Sequence, residues 1–68
     1  MVKEQKYRTV TSFLQENGWK LLRQGKGSHE IWWHPGSGDR VIVPHHKNIS
    51  AGVLQGIGKH IPLPKEWR

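Results

Sequence analysis

Cysteine is absent from this chain of 68 residues. Disulfides, thiolate nucleophiles and cysteine-ligated zinc are therefore excluded, and the oxidative staples of small secreted domains are missing, which favours a cytoplasmic setting. Long apolar runs are missing too. The longest, such as Ile31-Trp32-Trp33, fall far short of the roughly 20 residues that a membrane-spanning helix needs. The segment Met1-Val2-Lys3-Glu4-Gln5-Lys6 has no signal-peptide apolar stretch, so neither export nor membrane insertion is expected. Acidic residues are few and scattered, which argues against a paired-carboxylate site, and no glycine-rich nucleotide loop, repeat or low-complexity tract occurs.

What is present is a basic, histidine-bearing small domain. So short a polymer buries only about 60% of its unfolded surface and cannot support two cores, so one domain over 1–68 is expected, with its core at about 6–61 and an irregular tail at 62–68. Lys and Arg number 11 against 5 Asp and Glu, a formal net charge of +6. That balance favours a polyanionic partner. Basic charge on a small surface steers phosphates and supplies sequence-independent affinity for nucleic acid, although an acidic protein would be drawn by the same field.

Tyr7, Val10, Phe13 and Leu14 recur at helical spacing, and Asn17-Gly18 suits a left-handed C-cap, so a helix is expected from about Lys6 to Asn17. Trp19 to Gln24 reads as a first strand. Gly25-Lys26-Gly27-Ser28 is a turn, and His29 to His34, rich in aromatic and β-branched residues, is a second strand. Pro35 to Asp39 is dense in turn formers, and Arg40 to Val43 is a third strand stopped by Pro44. Ser50 can cap a closing helix whose apolar positions Val53, Leu54, Ile57 and Ile61 run until Pro62. Gly52, Gly56 and Gly58 predict that this helix is short or frayed, since each costs about 1 kcal/mol relative to Ala in a helix interior. The expected fold is α+β, in the order α-β-β-β-α with a three-stranded antiparallel sheet.

The chemistry falls to histidine, of which there are 5: His29, His34, His45, His46 and His60. Imidazole gives and takes protons near neutrality without a large shift. A metal site is disfavoured, because His45 and His46 are adjacent and divergent and no HxxxH pair lies on either helix, and no cofactor is expected. His60 falls at the end of the second helix, where a cation suits the carbonyl end of the dipole. His34, before Pro35, reads as a turn residue, and His45 and His46 beside Lys47 as surface residues that can touch phosphate. His29 follows glycines that let a phosphate approach the backbone and a lysine that supplies charge. A histidine opening a strand is also common, so the residues alone leave both readings open.

The tryptophans are ambiguous in the same way. Trp19, Trp32 and Trp33 can stack on unpaired bases, yet a thin core needs large apolar groups. Trp32 and Trp33 are consecutive in a strand and face opposite ways, so one is expected in the core and the other open to a partner. Trp67 either packs back or is exposed.

Gly18-Trp19-Lys20-Leu21-Leu22-Arg23-Gln24, then Gly27-Ser28-His29, His34-Pro35, Val41-Ile42-Val43-Pro44 and His46, resembles the HicA family of small bacterial toxins, over roughly residues 6 to 61. The most specific part is Gly-Ser-His set after Arg-Gln and before His-Pro and the Val-x-Val-Pro strand. The resemblance implies a double-stranded-RNA-binding-domain fold, the order reached independently above, and a cytoplasmic mRNA interferase whose catalytic histidine carries onto His29. It also implies a HicB-type antitoxin that covers the active histidine, with no direct DNA binding by the toxin alone. Relatives tend to carry longer, often basic or aliphatic, helix residues where Gly52, Gly56 and Gly58 stand. RNA binding is accordingly expected from Lys20, Arg23, Lys26, Ser28, Arg40, His45, His46 and Lys47.

The leading function is thus a metal-independent endoribonuclease acting on mRNA. Its mechanism has His29 help the ribose 2′-hydroxyl attack phosphorus, with Lys26 and the Gly27-Ser28 N–H groups near the growing charge. His45 and His46 qualify as a second proton-transfer group only if the loop after Pro44 folds toward the strand that His29 opens. The alternative is a non-catalytic RNA-binding module of the same fold, although His45-His46-Lys47 offers one obligate cation where duplex binders place a lysine cluster. A protein-interaction domain with an acidic partner is a third class.

Overall fold

The computed structural model describes residues 2–68. In chain order the elements are β1 (Gln5–Lys6), α1 (Tyr7–Glu16), β2 (Lys20–Gln24), β3 (His29–Trp33), β4 (Arg40–Pro44), β5 (Asn48–Ile49), α2 (Ala51–Gly58) and a 3-10 turn at Lys65–Trp67. The expected α-β-β-β-α order is present, with β2-β3-β4 forming a three-stranded antiparallel sheet.

Helix α1 ends within a residue of its expected boundary because Gly18 takes φ +84, a conformation costly for residues with a Cβ. There the Trp19 and Gly18 N–H groups donate back to Leu14 O at 2.9 Å and Gln15 O at 3.1 Å, a Schellman closure. Val10 and Leu14 are fully buried, while Tyr7 and Phe13 sit partly buried at the margin. In α2 the Ser50 hydroxyl accepts from the Val53 N–H at 3.4 Å, as a capping serine should.

Alternation along β3 divides the sheet. Glu30 and Trp32 point under the helices and are buried, whereas His29, Ile31 and Trp33 point to the opposite face. Val41 and Val43 join the buried side, and with Val10, Leu14, Leu54 and Ile57 they make the core. Trp19 is also core, so Trp33 is the aromatic left on the open face. Ile42 on that face is 58% exposed.

Three features depart from expectation. Gln5–Lys6 pairs antiparallel with Asn48–Ile49, a two-stranded ribbon that ties the start of α1 to the segment after β4. Helix α2 stops at Gly58, short as its glycines predict, and Pro62, which cannot donate a backbone hydrogen bond, keeps it from resuming. His60 therefore lies in the following turn, where its Nδ1 faces Asp39 Oδ2 at 3.6 Å instead of the helix end. The tail is ordered at its end: Trp67 is 5% exposed and meets Phe13 edge-on, ring centroids 5.0 Å apart.

Candidate nucleic-acid site at the end of the sheet

The turn between β2 and β3 is closed by Gly25 N–H to His29 O at 2.7 Å and His29 N–H to Lys26 O at 3.2 Å. Gly27 sits at φ +63 with nothing within 4 Å of where a Cβ would project, so the turn needs glycine for its backbone and leaves open space beside Ser28. Lys26 and His29 are both exposed.

The segment after Pro44 folds onto this turn. His29 is paired with Pro44 across the β3-β4 register, and the next residue, His45, donates its backbone N–H to Ser28 O at 2.6 Å. His46 Nε2 then shares a hydrogen bond of 2.9 Å with Ser28 Oγ. The segment after Pro44 thus folds toward the strand that His29 opens. Lys47 continues the segment, and its carbonyl accepts from the Tyr7 N–H at 3.1 Å, which brings the first turn of α1 to the same place.

Glu30 and Tyr7, both part of this site, were not singled out from the sequence. Glu30 is buried, with 5% of its side chain exposed, and its Oε2 lies 3.2 Å from His45 Nδ1. Its Oε1 accepts from the Tyr7 hydroxyl at 2.6 Å and from Trp32 Nε1 at 3.2 Å. The Tyr7 ring stacks on the His45 imidazole at a centroid distance of 4.3 Å and 15° between planes. Burial pushes the Tyr7 phenol up to about 12, with the hydrogen bond to Glu30 and its negative charge adding to the shift. Tyr7 is therefore a fixed donor. The available signal for Glu30 was its place two residues before Trp32, which puts both side chains on one face of the strand.

Beside this network lies a cleft of about 720 Å³ lined by Lys6, Tyr7, Arg8, Thr9, His45, His46 and Lys47. Three of its lining residues, Lys6, Arg8 and Lys47, are cations, and Glu30, the acid that faces its His45, is buried. Such a mouth attracts phosphate. Ser28, His45, His46 and Lys47 thus gather with Lys26 at the His29 end of the sheet. Arg23 stands opposite Ile31 at mid-strand, and Lys20 and Arg40 flank Trp33. At about 3.4 Å per residue Arg23 is displaced roughly 7 Å along the strand from His29 and Lys20 and Arg40 roughly 13 Å, a spacing that follows a strand along the open face.

His34 and His60 belong elsewhere. Both meet Trp19 edge-on, at 5.7 and 5.9 Å, and His34 Nδ1 accepts from the Ser37 N–H at 3.1 Å. Among the described residues no group of three or more His, Asp or Glu side chains could hold a metal ion, and no helix is long and apolar enough to cross a membrane.

A family model described as the HicA toxin of bacterial toxin-antitoxin systems matches residues 7–63. Neither the curated proteins nor the solved structures gave a significant match.

Proposed function

The chain belongs to the HicA toxin family of bacterial toxin-antitoxin systems, and from that premise we propose that it is a metal-independent endoribonuclease that cleaves mRNA in the cytoplasm through His29. The observation that carries this reading is the hydrogen bond of 2.9 Å between Ser28 and His46, which fastens a His-His-Lys segment against the turn that presents His29. On this reading the histidines transfer protons and the neighbouring cations hold phosphate beside the open space at Gly27.

In the proposed reaction His29 takes the proton of a ribose 2′-hydroxyl as its oxygen attacks the adjacent phosphorus. The bond to the 5′-oxygen breaks, leaving a 2′,3′-cyclic phosphate and a 5′-hydroxyl end. Imidazole gives and takes protons near neutrality, which suits such a step. Lys26 and the N–H groups of the Gly27-Ser28 turn face the charge that grows on the phosphate. Lys47, Arg23, Lys20 and Arg40 hold the flanking backbone. A HicB-type antitoxin is the proposed inhibitor, covering the His29 end of the molecule; charge complementarity with the basic toxin would speed their association.

The reading is tested with three substrates in the presence of a chelator: RNA, the same RNA bearing 2′-O-methyl groups, and DNA of the same sequence. Cleavage of the first alone, yielding cyclic phosphate ends, is expected. Cleavage of all three would overturn the mechanism, and binding without cleavage would leave a non-catalytic RNA-binding module.

A further inference from the structure

The Glu30 carboxylate is costly to bury, and its three polar partners are what offset that cost. Its surroundings suggest another use. One oxygen is held by the Tyr7 hydroxyl at 2.6 Å and the Trp32 indole N–H at 3.2 Å, and the other faces Nδ1 of His45 at 3.2 Å. The His45 side chain is nevertheless 55% exposed. A buried, doubly anchored carboxylate thus grips one edge of a solvent-facing imidazole, while Tyr7 covers one of its faces at 4.3 Å.

Building on the endonuclease reading, we infer that His45 is the general acid of RNA cleavage and that Glu30 is its positioning residue. With Nδ1–H directed at the carboxylate, the ring presents Nε2 on its far edge to solvent and substrate, the arrangement by which a carboxylate fixes a catalytic histidine. His46 is less suited, because its Nε2 is already engaged with Ser28 Oγ.

Position supports the same division of labour. His29 lies on the open face of the sheet, and His45 contacts Glu30 on the helix face, yet both flank Ser28 at one strand end. An in-line displacement needs its base and its acid on opposite sides of the phosphorus. As the 2′-oxygen forms its bond to phosphorus and gives its proton to His29, the bond to the 5′-oxygen breaks and that oxygen takes the proton of His45 Nε2. One proton enters the protein and one leaves it.

The experiment compares ordinary RNA with RNA in which sulfur replaces the bridging 5′-oxygen at the cleavage site, since a thiolate departs without a proton. His45→Ala should cut ordinary RNA about 10²–10⁴-fold more slowly and recover most of that loss on the sulfur substrate. Glu30→Gln, which keeps the size of the side chain and an acceptor for Tyr7, should lower kcat by a smaller factor with KM unchanged and show the same recovery. His29→Ala should recover on neither. An equal loss for His45→Ala on both substrates, or a wild-type rate on ordinary RNA, overturns the assignment of His45 while leaving His29 in place. Wild-type protein that cuts neither substrate overturns the endonuclease reading and this one together.

Discussion

Tyr7 and Glu30, 23 residues apart, meet through a hydrogen bond of 2.6 Å that joins the first turn of α1 to the middle of the sheet. Through it the helix, the buried face of β3 and the segment after Pro44 form one unit around His45. The site at the sheet end is thereby built on core contacts.

This bond has a spectroscopic consequence. Tyr7 is the one tyrosine of the chain, so an alkaline absorbance titration reads it alone, and its transition is expected at about 12 against an ordinary value of 10. The folded state then holds its proton more tightly than the unfolded chain, so the associated stability is complete below pH 10 and is lost as pH rises from 10 toward about 12. Glu30→Gln should move the transition down, while the part due to burial persists. A midpoint of 10 in the folded wild type would contradict the network.

The second prediction concerns the tail. Trp67 is buried against Phe13, and its carbonyl accepts from the Lys3 N–H, so the last residues close the core from outside. Trp67→Ala should destabilise the domain by about 3–5 kcal/mol, read as a fall in the denaturant midpoint. A change below about 1 kcal/mol would mean that the tail is not docked in solution.

Helix α2 provides a third. A Cβ on Gly56 meets nothing within 4 Å, and its φ is not positive, so Gly56→Ala should raise stability by about 0.5–1 kcal/mol through backbone entropy. At Gly58 the new Cβ would lie 3.2 Å from two atoms of Leu63, so Gly58→Ala should stabilise less or destabilise. Thermal melts of the two variants decide it; the reverse order would contradict the packing described for α2.

Much of this architecture is legible in the sequence, for definite reasons. Val10 and Leu14 share a helical face, Val41 and Val43 alternate, and Ser50 and Gly18 mark helix ends through side-chain and backbone chemistry that acts within a few residues. The β1-β5 ribbon is not legible, because two-residue strands such as Gln5–Lys6 have no alternation to detect and form only once the chain has folded. Similarly, His45 can be listed as a basic surface residue, but its contact with Glu30 is tertiary. Glu30 lies between His29 and Ile31 and resembles a solvent-facing residue until Trp32 fixes which face is buried.

RNA affinity should be set by phosphate contacts at the basic end of the molecule. Lys26→Glu and Lys47→Glu are each expected to weaken binding to unrelated RNAs by similar factors and to lower the slope of log K against log salt, since counterion release scales with the phosphates neutralised. Titrations at several salt concentrations measure this. A salt-independent affinity, or a loss restricted to one sequence, would contradict the electrostatic account.

The central claim is that the exposed imidazole of His29 carries out RNA cleavage. It is tested most directly by a single-turnover assay of purified His29→Ala and wild-type protein on ordinary RNA in chelator, with the fold of both verified by circular dichroism. The account predicts cleavage by the wild type and none detectable by the variant, with RNA binding retained. Folded His29→Ala that cuts at the wild-type rate would contradict it.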